Sequence, residues 1–377
     1  MKTLLKSAKA GFVRLLEASL AVGRPRRRKK LAIFKADGIG DFVLSSEAIR
    51  QLIAEHGAQE VTLILSFELR ELAATLFPGV EICAIAPGHA SRRTKILRVL
   101  ALRSAIASAA YDEVVCLRHY RTRYEQTILR AITADRILLL TNQSATVDQG
   151  TREASPDNFC FIKAKDYQAR GTIPREWSFH ATVLSRSLGR HITPGAMCPD
   201  WGMSRAIGGT TAPFLIIAPL AGRKIRDLPA HLVLAAASKA ATHGLHHLIL
   251  SGSHRQTAEL GRYAEVLRSA LPHCRVELRF SRHLPALVEL LSRAALVITA
   301  ETSTAHIAAA LDQPALVLIG GGHYGWFAPW QRSFRQVWLT KPLPCFDCNW
   351  QCPYPEPLCL TEITASEVEV AIGEILL

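Results

Sequence analysis

The sequence contains no internal repeat and no low-complexity tract, so a repeat architecture is not expected. It has no uninterrupted apolar run long enough to cross a bilayer. The most apolar part of its N-terminal stretch is broken by Lys6, Lys9 and Arg14, which also argues against a secretory signal. It lacks the G-x-G-x-x-G fingerprint, so binding of a nicotinamide dinucleotide is not expected. Little of its positive charge lies in its body. The net charge is +13, yet residues 1–30 hold ten basic side chains against Glu17 alone, which leaves only +4 for the rest. That balance excludes a strongly basic nucleic-acid binder, and nucleic acid is not expected as a partner.

What is present is globular composition, 49% hydrophobic and 20% charged over 377 residues, a length that suggests two domains. Leu4, Leu5, Ala8, Phe12, Leu15 and Leu16 share one side of a helical wheel and are followed by the basic run Gly23–Lys30. Residues 1–30 therefore read as a basic amphipathic segment. It would lie on an anionic membrane surface, where each basic side chain contributes about 1 kcal/mol, or form a tail or a helix packed on its own protein.

The chain is organised around residues 296–320. Leu296–Ala300 and Ala315–Ile319 are short, β-branched apolar runs that read as buried parallel strands. Between them, the hydroxyl-rich turn Glu301-Thr302-Ser303-Thr304-Ala305 opens a small-residue helix that begins around His306 and stops before Pro314. The free backbone N–H groups of Thr302 to Ala305 and the helix dipole suit a phosphate. An ordinary helix cap with a surface histidine is the plainer alternative.

Earlier, Leu31–Phe34 reads as a strand that turns through Gly38-Ile39-Gly40-Asp41 into a helix, Phe42–His56, with Asp41 at the capping position. Strands at Val61–Ser66, Val80–Ala86, Glu113–Leu117 and Arg136–Leu140 alternate with helices at 69–76, 95–108 and 124–132. The stretch 141–171 reads as irregular, and 176–188 as a helix. A second set of strands begins at Phe214–Ala218 and continues at 247–250, 276–280, 296–300 and 315–319. The expected division is 31–190, a linker at 191–212, and 213–377. The fold class is α/β, with two Rossmann-like parallel-sheet domains facing across a cleft.

Five of the nine cysteines lie among apolar residues and read as small core side chains, and with no export signal all nine are expected as free thiols. The other four, Cys345-x2-Cys348-x3-Cys352-x6-Cys359, fall within fifteen residues kept non-helical by Pro344, Pro353, Pro355 and Pro357. Four thiolates suit a closed structural Zn²⁺ site, iron is a second choice, and a thiol-rich loop without metal is the alternative.

The Gly40-Asp41 turn and the Glu301-Thr302-Ser303-Thr304-Ala305-His306 unit, in this order, resemble the heptosyltransferase family of glycosyltransferases over residues 31–377. The likeness is to its divergent branch, since Gly320-Gly321-Gly322-His323 departs from the Gly-Pro-Thr of the best-known members. The resemblance implies the GT-B fold and a role for each matching residue. Asp41 would be the base that deprotonates the acceptor hydroxyl. Thr302, Ser303, Thr304 and Ala305 would hold the donor diphosphate, with His306 beside them and Glu301 in place of an aspartate. The loop Gly222-Arg223-Lys224-Ile225-Arg226 would neutralise charge, Arg226 standing where many members have lysine.

The expected activity is inverting transfer of a sugar of the heptose kind from an ADP-heptose-like donor to a cell-envelope glycan, as in lipopolysaccharide assembly, or to another acceptor. No cofactor is required for the transfer. The expected place is the cytoplasm, at the inner face of the cytoplasmic membrane. A nucleotide-sugar epimerase of the same fold and a non-catalytic membrane-surface scaffold are the alternatives.

Overall fold

The computed structural model describes residues 27–86, 91, 109–140, 158–162, 174–202, 212–281 and 283–377. The expected N-terminal amphipathic helix and the helix at 95–108 lie outside these residues. The chain divides into two units, each built on a six-stranded sheet.

The first unit contains β1 (Arg27–Lys35), α1 (Ile39–His56), β2 (Val61–Ser66), α2 (Arg70–Leu76), β3 (Glu81–Ile85), β4 (Ala109–Cys116), α3 (Arg123–Ala131), β5 (Thr133–Leu140) and β6 (Phe159–Ile162). Then comes α4 (Arg175–Leu188). The second unit contains β7 (Phe214–Ala218), α5 (Ala230–Thr242), β8 (His247–Gly252), α6 (Thr257–Ala270), β9 (Arg275–Phe280), α7 (Leu284–Ser292), β10 (Leu296–Ala300), α8 (Ser303–Ala310), β11 (Ala315–Leu318), β12 (Gln336–Leu339), α9 (Leu358–Thr361) and α10 (Ala365–Leu376).

Every neighbouring pair of strands is parallel. The sequence cause is plain in β2, β7 and β10, where every residue is buried. A strand covered on both faces is apolar throughout, not alternating. The orders β3-β2-β1-β4-β5-β6 and β9-β8-β7-β10-β11-β12 are the same winding. Each reverses beside its first strand, so the loops after β1 and β4, and after β7 and β10, diverge and leave a crevice at the carboxyl ends.

Strand register brings those loops together: Phe34 pairs with Cys116, and Ala218 with Thr299. In the second unit, Leu215, Ile217, Leu248, Ile298 and Leu316 meet Leu232 and Ala236 of α5 and Val368 and Ile372 of α10 in one core. Thr364 starts α10 with a reciprocal cap, accepting from Glu367 N at 3.2 Å while its own N–H donates to Glu367 at 2.8 Å.

Several expectations are corrected. The basic run is not all tail, because Arg27–Lys30 open β1. Arg27 and Lys29 pair with Glu81 at 2.7 and 2.9 Å, Arg28 with Asp112 and Asp135, and Lys30 with Asp112 at 3.0 Å. These four cations hold the start of β1 against its neighbours. The stretch expected to be irregular at 141–171 contains β6, and β12 completes the second sheet. Helices α5, α6, α7, α9 and α10 were not marked by the sequence reading. By compactness Ser178–Met197 groups with the first unit, and the first turn of α4, up to Trp177, with the second. No described helix is long and apolar enough to cross a membrane.

Candidate functional site

In the second unit the crevice is walled by the loop 219–229 after β7 and by Glu301 and Thr302 after β10. Thr302 is the N-cap of α8, and its hydroxyl accepts from Thr304 N at 3.3 Å. Thr299 anchors the turn from below, its hydroxyl lying 3.2 Å from Ala218 O and 3.4 Å from Thr302 Oγ1. The first intrahelical bond runs from His306 N to Thr302 O. Helix geometry therefore gives Ser303 N–H and Ala305 N–H no acceptor within α8. Thr302 and Ser303 are partly exposed, whereas Thr304 and Ala305 are buried. The turn can thus hold an anion by backbone donors, assisted by the helix dipole.

Arg226 closes the other side. It stands in a short 3₁₀ turn, Lys224–Arg226, which is followed by Asp227 accepting from Ala221 N at 2.8 Å. Burial pushes the Asp227 carboxyl up from its ordinary value. Arg226 Nη1 donates to Glu301 O at 3.3 Å and to Glu301 Oε2 at 3.4 Å, both near the long limit for such bonds. Its Nε is buried with no partner among the described residues. The guanidinium therefore holds unused donors at the mouth of the turn, and Gly222, Arg223 and Lys224 lie exposed beside it.

His306 is not the surface histidine of the plainer reading. It is buried, stacks on Trp330 with an interplanar angle of 10°, and its Nδ1 accepts from Trp330 Nε1 at 3.0 Å. Burial first, and then the Arg226 charge, bring its pKa down to about 3. The ring is therefore neutral, with its proton on Nε2, and cannot act as a cation toward a diphosphate. Trp330 belongs to the site's foundation, and the sequence pattern did not point to it.

In the first unit, Asp41 is not the cap. Gly38 is the N-cap of α1, so Gly40 and Asp41 are its second and third residues. The Asp41 carboxylate lies close to Gly38, where a Cβ would meet its Oδ2 at 3.5 Å in ordinary contact. Behind Asp41, a buried ionic network spans the reversal of the sheet. Lys35 Nζ contacts Asp37 and Leu117 O, both at 2.8 Å. Arg118 pairs with Asp37 and donates to Ala36 O at 2.9 Å and to Glu125 at 3.1 Å. Glu125 in turn accepts from Thr122 N at 2.7 Å as half of a capping box. This network was missed in the sequence, although Thr122-x-x-Glu125 is a legible capping signal.

Of the four loop cysteines, Cys359 is buried and accepts from Gly321 N at 3.2 Å, while Cys345, Cys348 and Cys352 are half-buried. Burial first raises the Cys359 thiol pKa, and Cys345, Cys352 and Cys348 raise it further. Asp347, Asn349 and Trp350 take left-handed backbone with φ of 66°, 50° and 61°, folding the loop tightly. Among the described residues, however, the group with three potential ligand atoms within 4.8 Å of one another is His246, His273 and Cys274. No three of the loop sulfurs are that close. The His/Cys group lies at the amino ends of β8 and β9, and a cavity of about 640 Å³ lies beside Phe214, Ile249 and Phe280. The Glu301–Ala305 turn follows the carboxyl end of β10.

Residues 200–354 match the model of glycosyltransferase family 9 (heptosyltransferase). The matched stretch lies within the second unit. Among solved structures, the chain resembles E. coli heptosyltransferase WaaC with ADP at 16% identity and a TM-score of 0.66, over 92% of this chain and 99% of that one. A family 9 transferase from Veillonella parvula matches at 15% identity and TM-score 0.65, over 95% and 99%. The iron-containing dodecameric glycosyltransferase TibC of E. coli matches at 12% and 0.50, over 93% and 77%. At these identities the shared property is the fold. No curated sequence matches. Arg226 and Glu301–His306 fall within the family match, and Asp41 lies outside it. The family 9 match agrees with the glycosyltransferase class expected from the motifs.

A pH dependence follows from His306. Its folded pKa of about 3 lies below the ordinary 6.5, so between these values the unfolded chain binds a proton that the folded chain refuses. Stability is full above about pH 6.5 and falls toward pH 3, by up to about 1.4 kcal/mol per unit. His306→Gln, which keeps an acceptor but does not titrate, is expected to flatten this slope in denaturant unfolding; parallel profiles for variant and parent would refute the assignment.

Proposed function

We propose that the protein is an inverting glycosyltransferase that moves a sugar of the heptose kind from a nucleotide diphosphate donor to a cell-envelope glycan or another acceptor. The supporting observation is the pairing of the Ser303–Ala305 backbone donors with Arg226, whose Nε is buried without a partner. A diphosphate leaving group gains negative charge as the glycosidic bond breaks, and fixed donors aimed at it lower the barrier. The relatives described with ADP and with an ADP-fluoroheptose support an adenine nucleotide donor.

In this reading Asp41 takes the proton of the acceptor hydroxyl while the oxygen attacks the anomeric carbon opposite the departing diphosphate. Arg223 and Lys224 add positive charge from the exposed edge, and neutral His306 braces α8 through Trp330. Gly40 allows backbone approach near Asp41. No divalent cation is needed for charge neutralisation in this arrangement.

The loop residues Cys345, Cys348, Cys352 and Cys359 are proposed to hold a structural zinc or iron. The Gly321 N–H bond to sulfur and the left-handed turns fit a thiolate ligand loop, and the iron of TibC favours the second metal. Residues 1–26 are proposed to bind an anionic membrane surface from the cytoplasmic side.

The central test combines calorimetry against nucleotide sugars with Asp41→Asn. As a base, Asp41 is expected to contribute roughly 10²- to 10⁴-fold in rate, with donor affinity nearly unchanged. As a third-position carboxylate favouring the helix dipole, it would contribute only about 0.3–1 kcal/mol to stability. Turnover within a few-fold of the parent would remove it as the base, and nucleotide release without an acceptor would contradict transfer. Elemental analysis of protein purified without chelator is expected to show roughly one zinc or iron per chain; neither metal would end the thiolate-site proposal. Removing residues 1–26 is expected to reduce sedimentation with anionic vesicles, and salt to weaken it for the intact chain; equal sedimentation would dismiss the membrane role.

A further inference from the structure

Three consecutive glycines follow β11, and the structure gives each a reason. A Cβ on Gly320 would lie 2.9 Å from Trp350, one on Gly322 2.2 Å from it, and one on Gly321 2.3 Å from Phe346. Two aromatic rings of the cysteine loop therefore lie flush on bare backbone. The fit is fastened by Asp347 N donating to Gly321 O at 2.8 Å and Asn349 N to Gly322 O at 2.9 Å. Trp350 Nε1 also donates to His323 Nδ1 at 3.3 Å, and His323 Nε2 meets Asn349 Oδ1 at 2.8 Å. The left-handed φ of 61° at Trp350 is uncommon for a bulky residue and is retained in this interlock.

The ring held in this way also meets the donor turn. The Arg226 guanidinium carbon lies 5.4 Å from the Trp350 ring centroid, within cation–π range. Glu301 takes Nη1 from another direction. A long, flexible side chain is thus confined between a carboxylate and an aromatic plane, while its Nε remains without a partner. Holding an arginine in one geometry before the ligand arrives reduces the ordering cost of binding.

We propose that Trp350 is a positioning residue for the nucleotide diphosphate, its ring presetting the Arg226 guanidinium so that the cysteine loop forms part of the donor site. This rests on the reading of the Glu301–Ala305 turn as the diphosphate site. The chemistry recognised is a nucleoside diphosphate or its sugar ester, and the loop acts on it through Arg226.

The test measures binding of ADP and ADP-sugars by calorimetry, together with KM and kcat, in the full chain. Trp350→Leu keeps an apolar side chain but removes the ring; donor binding is expected to weaken about 2- to 30-fold, with the donor KM rising more than kcat falls. Trp350→Phe, which restores a flat ring over Gly322, is expected to recover most of the affinity. In an Arg226→Gln background, Trp350→Leu is expected to cost little more, because the coupling partner is gone. If the leucine variant does not fold, the same cycle with Trp350→Met, a flexible apolar side chain without a ring, decides the question.

Unchanged donor binding in the ringless variant, or an equal loss with and without Arg226, would overturn the proposal and leave Trp350 as packing alone. A parent that binds no nucleoside diphosphate would overturn it together with the donor-site reading, and the parent's own titration distinguishes that case.

Discussion

The reversal of strand order beside β1 and beside β7 is the constraint on which the rest depends. In a parallel sheet all strand ends of one kind lie on one edge, and successive crossovers on one face leave no opening there. Only where the winding changes face do adjacent loops separate, and there a ligand can reach backbone N–H groups without displacing packed side chains. The residues of chemical interest follow those separations: Lys35, Asp37 and Arg118 at one, Arg226, Glu301 and Thr302 at the other.

The two reversals use charge in opposite ways. In the first unit Asp37 and Glu125 lie against Lys35 and Arg118, so the cations are matched and the loops are tied down. Breaking such a buried pair costs about 3–5 kcal/mol, because the remaining charge is stranded. This network gives α1 a rigid base and leaves Asp41 as the carboxylate at the helix start. In the second unit Glu301 holds Arg226 only through long contacts, and the guanidinium keeps a buried donor without a partner. The first arrangement suits a scaffold and the second a binding site.

Much of this was legible in the sequence because it depends on local patterns. Continuous apolar runs gave most of the strands, and Glu301-Thr302-Ser303-Thr304 before an alanine-rich helix located the turn. What was missed depends on distant partners. Arg27–Lys30 read as a basic tail because the carboxylates that hold them, at 81, 112 and 135, are far along the chain. β6 and β12 are four residues each and mostly part-exposed, so neither is the continuous buried run that marks β11. A surface histidine was the plainer alternative for His306, and only Trp330, 24 residues later, makes it a buried neutral acceptor. Asp41 was displaced from cap to third position because Gly38 satisfies the cap geometry without a side chain.

The same distinction explains the glycine run. In sequence, Gly320–Gly322 reads only as a departure from the Gly-Pro-Thr of the best-known heptosyltransferases. In the structure it is the bare surface that receives Phe346 and Trp350. The substitution and the cysteine loop are therefore one feature: a loop rich in aromatics and thiols can dock here only if no Cβ stands in its way. Once docked, it places a ring under Arg226, where many relatives have a lysine. A planar guanidinium gains more from an aromatic face than an ammonium does, since it stacks and still presents its fork edge-on. Arginine at 226, tryptophan at 350 and glycine at 320 and 322 thus form a consistent set. The longer Glu301 completes it by reaching the same guanidinium from the turn.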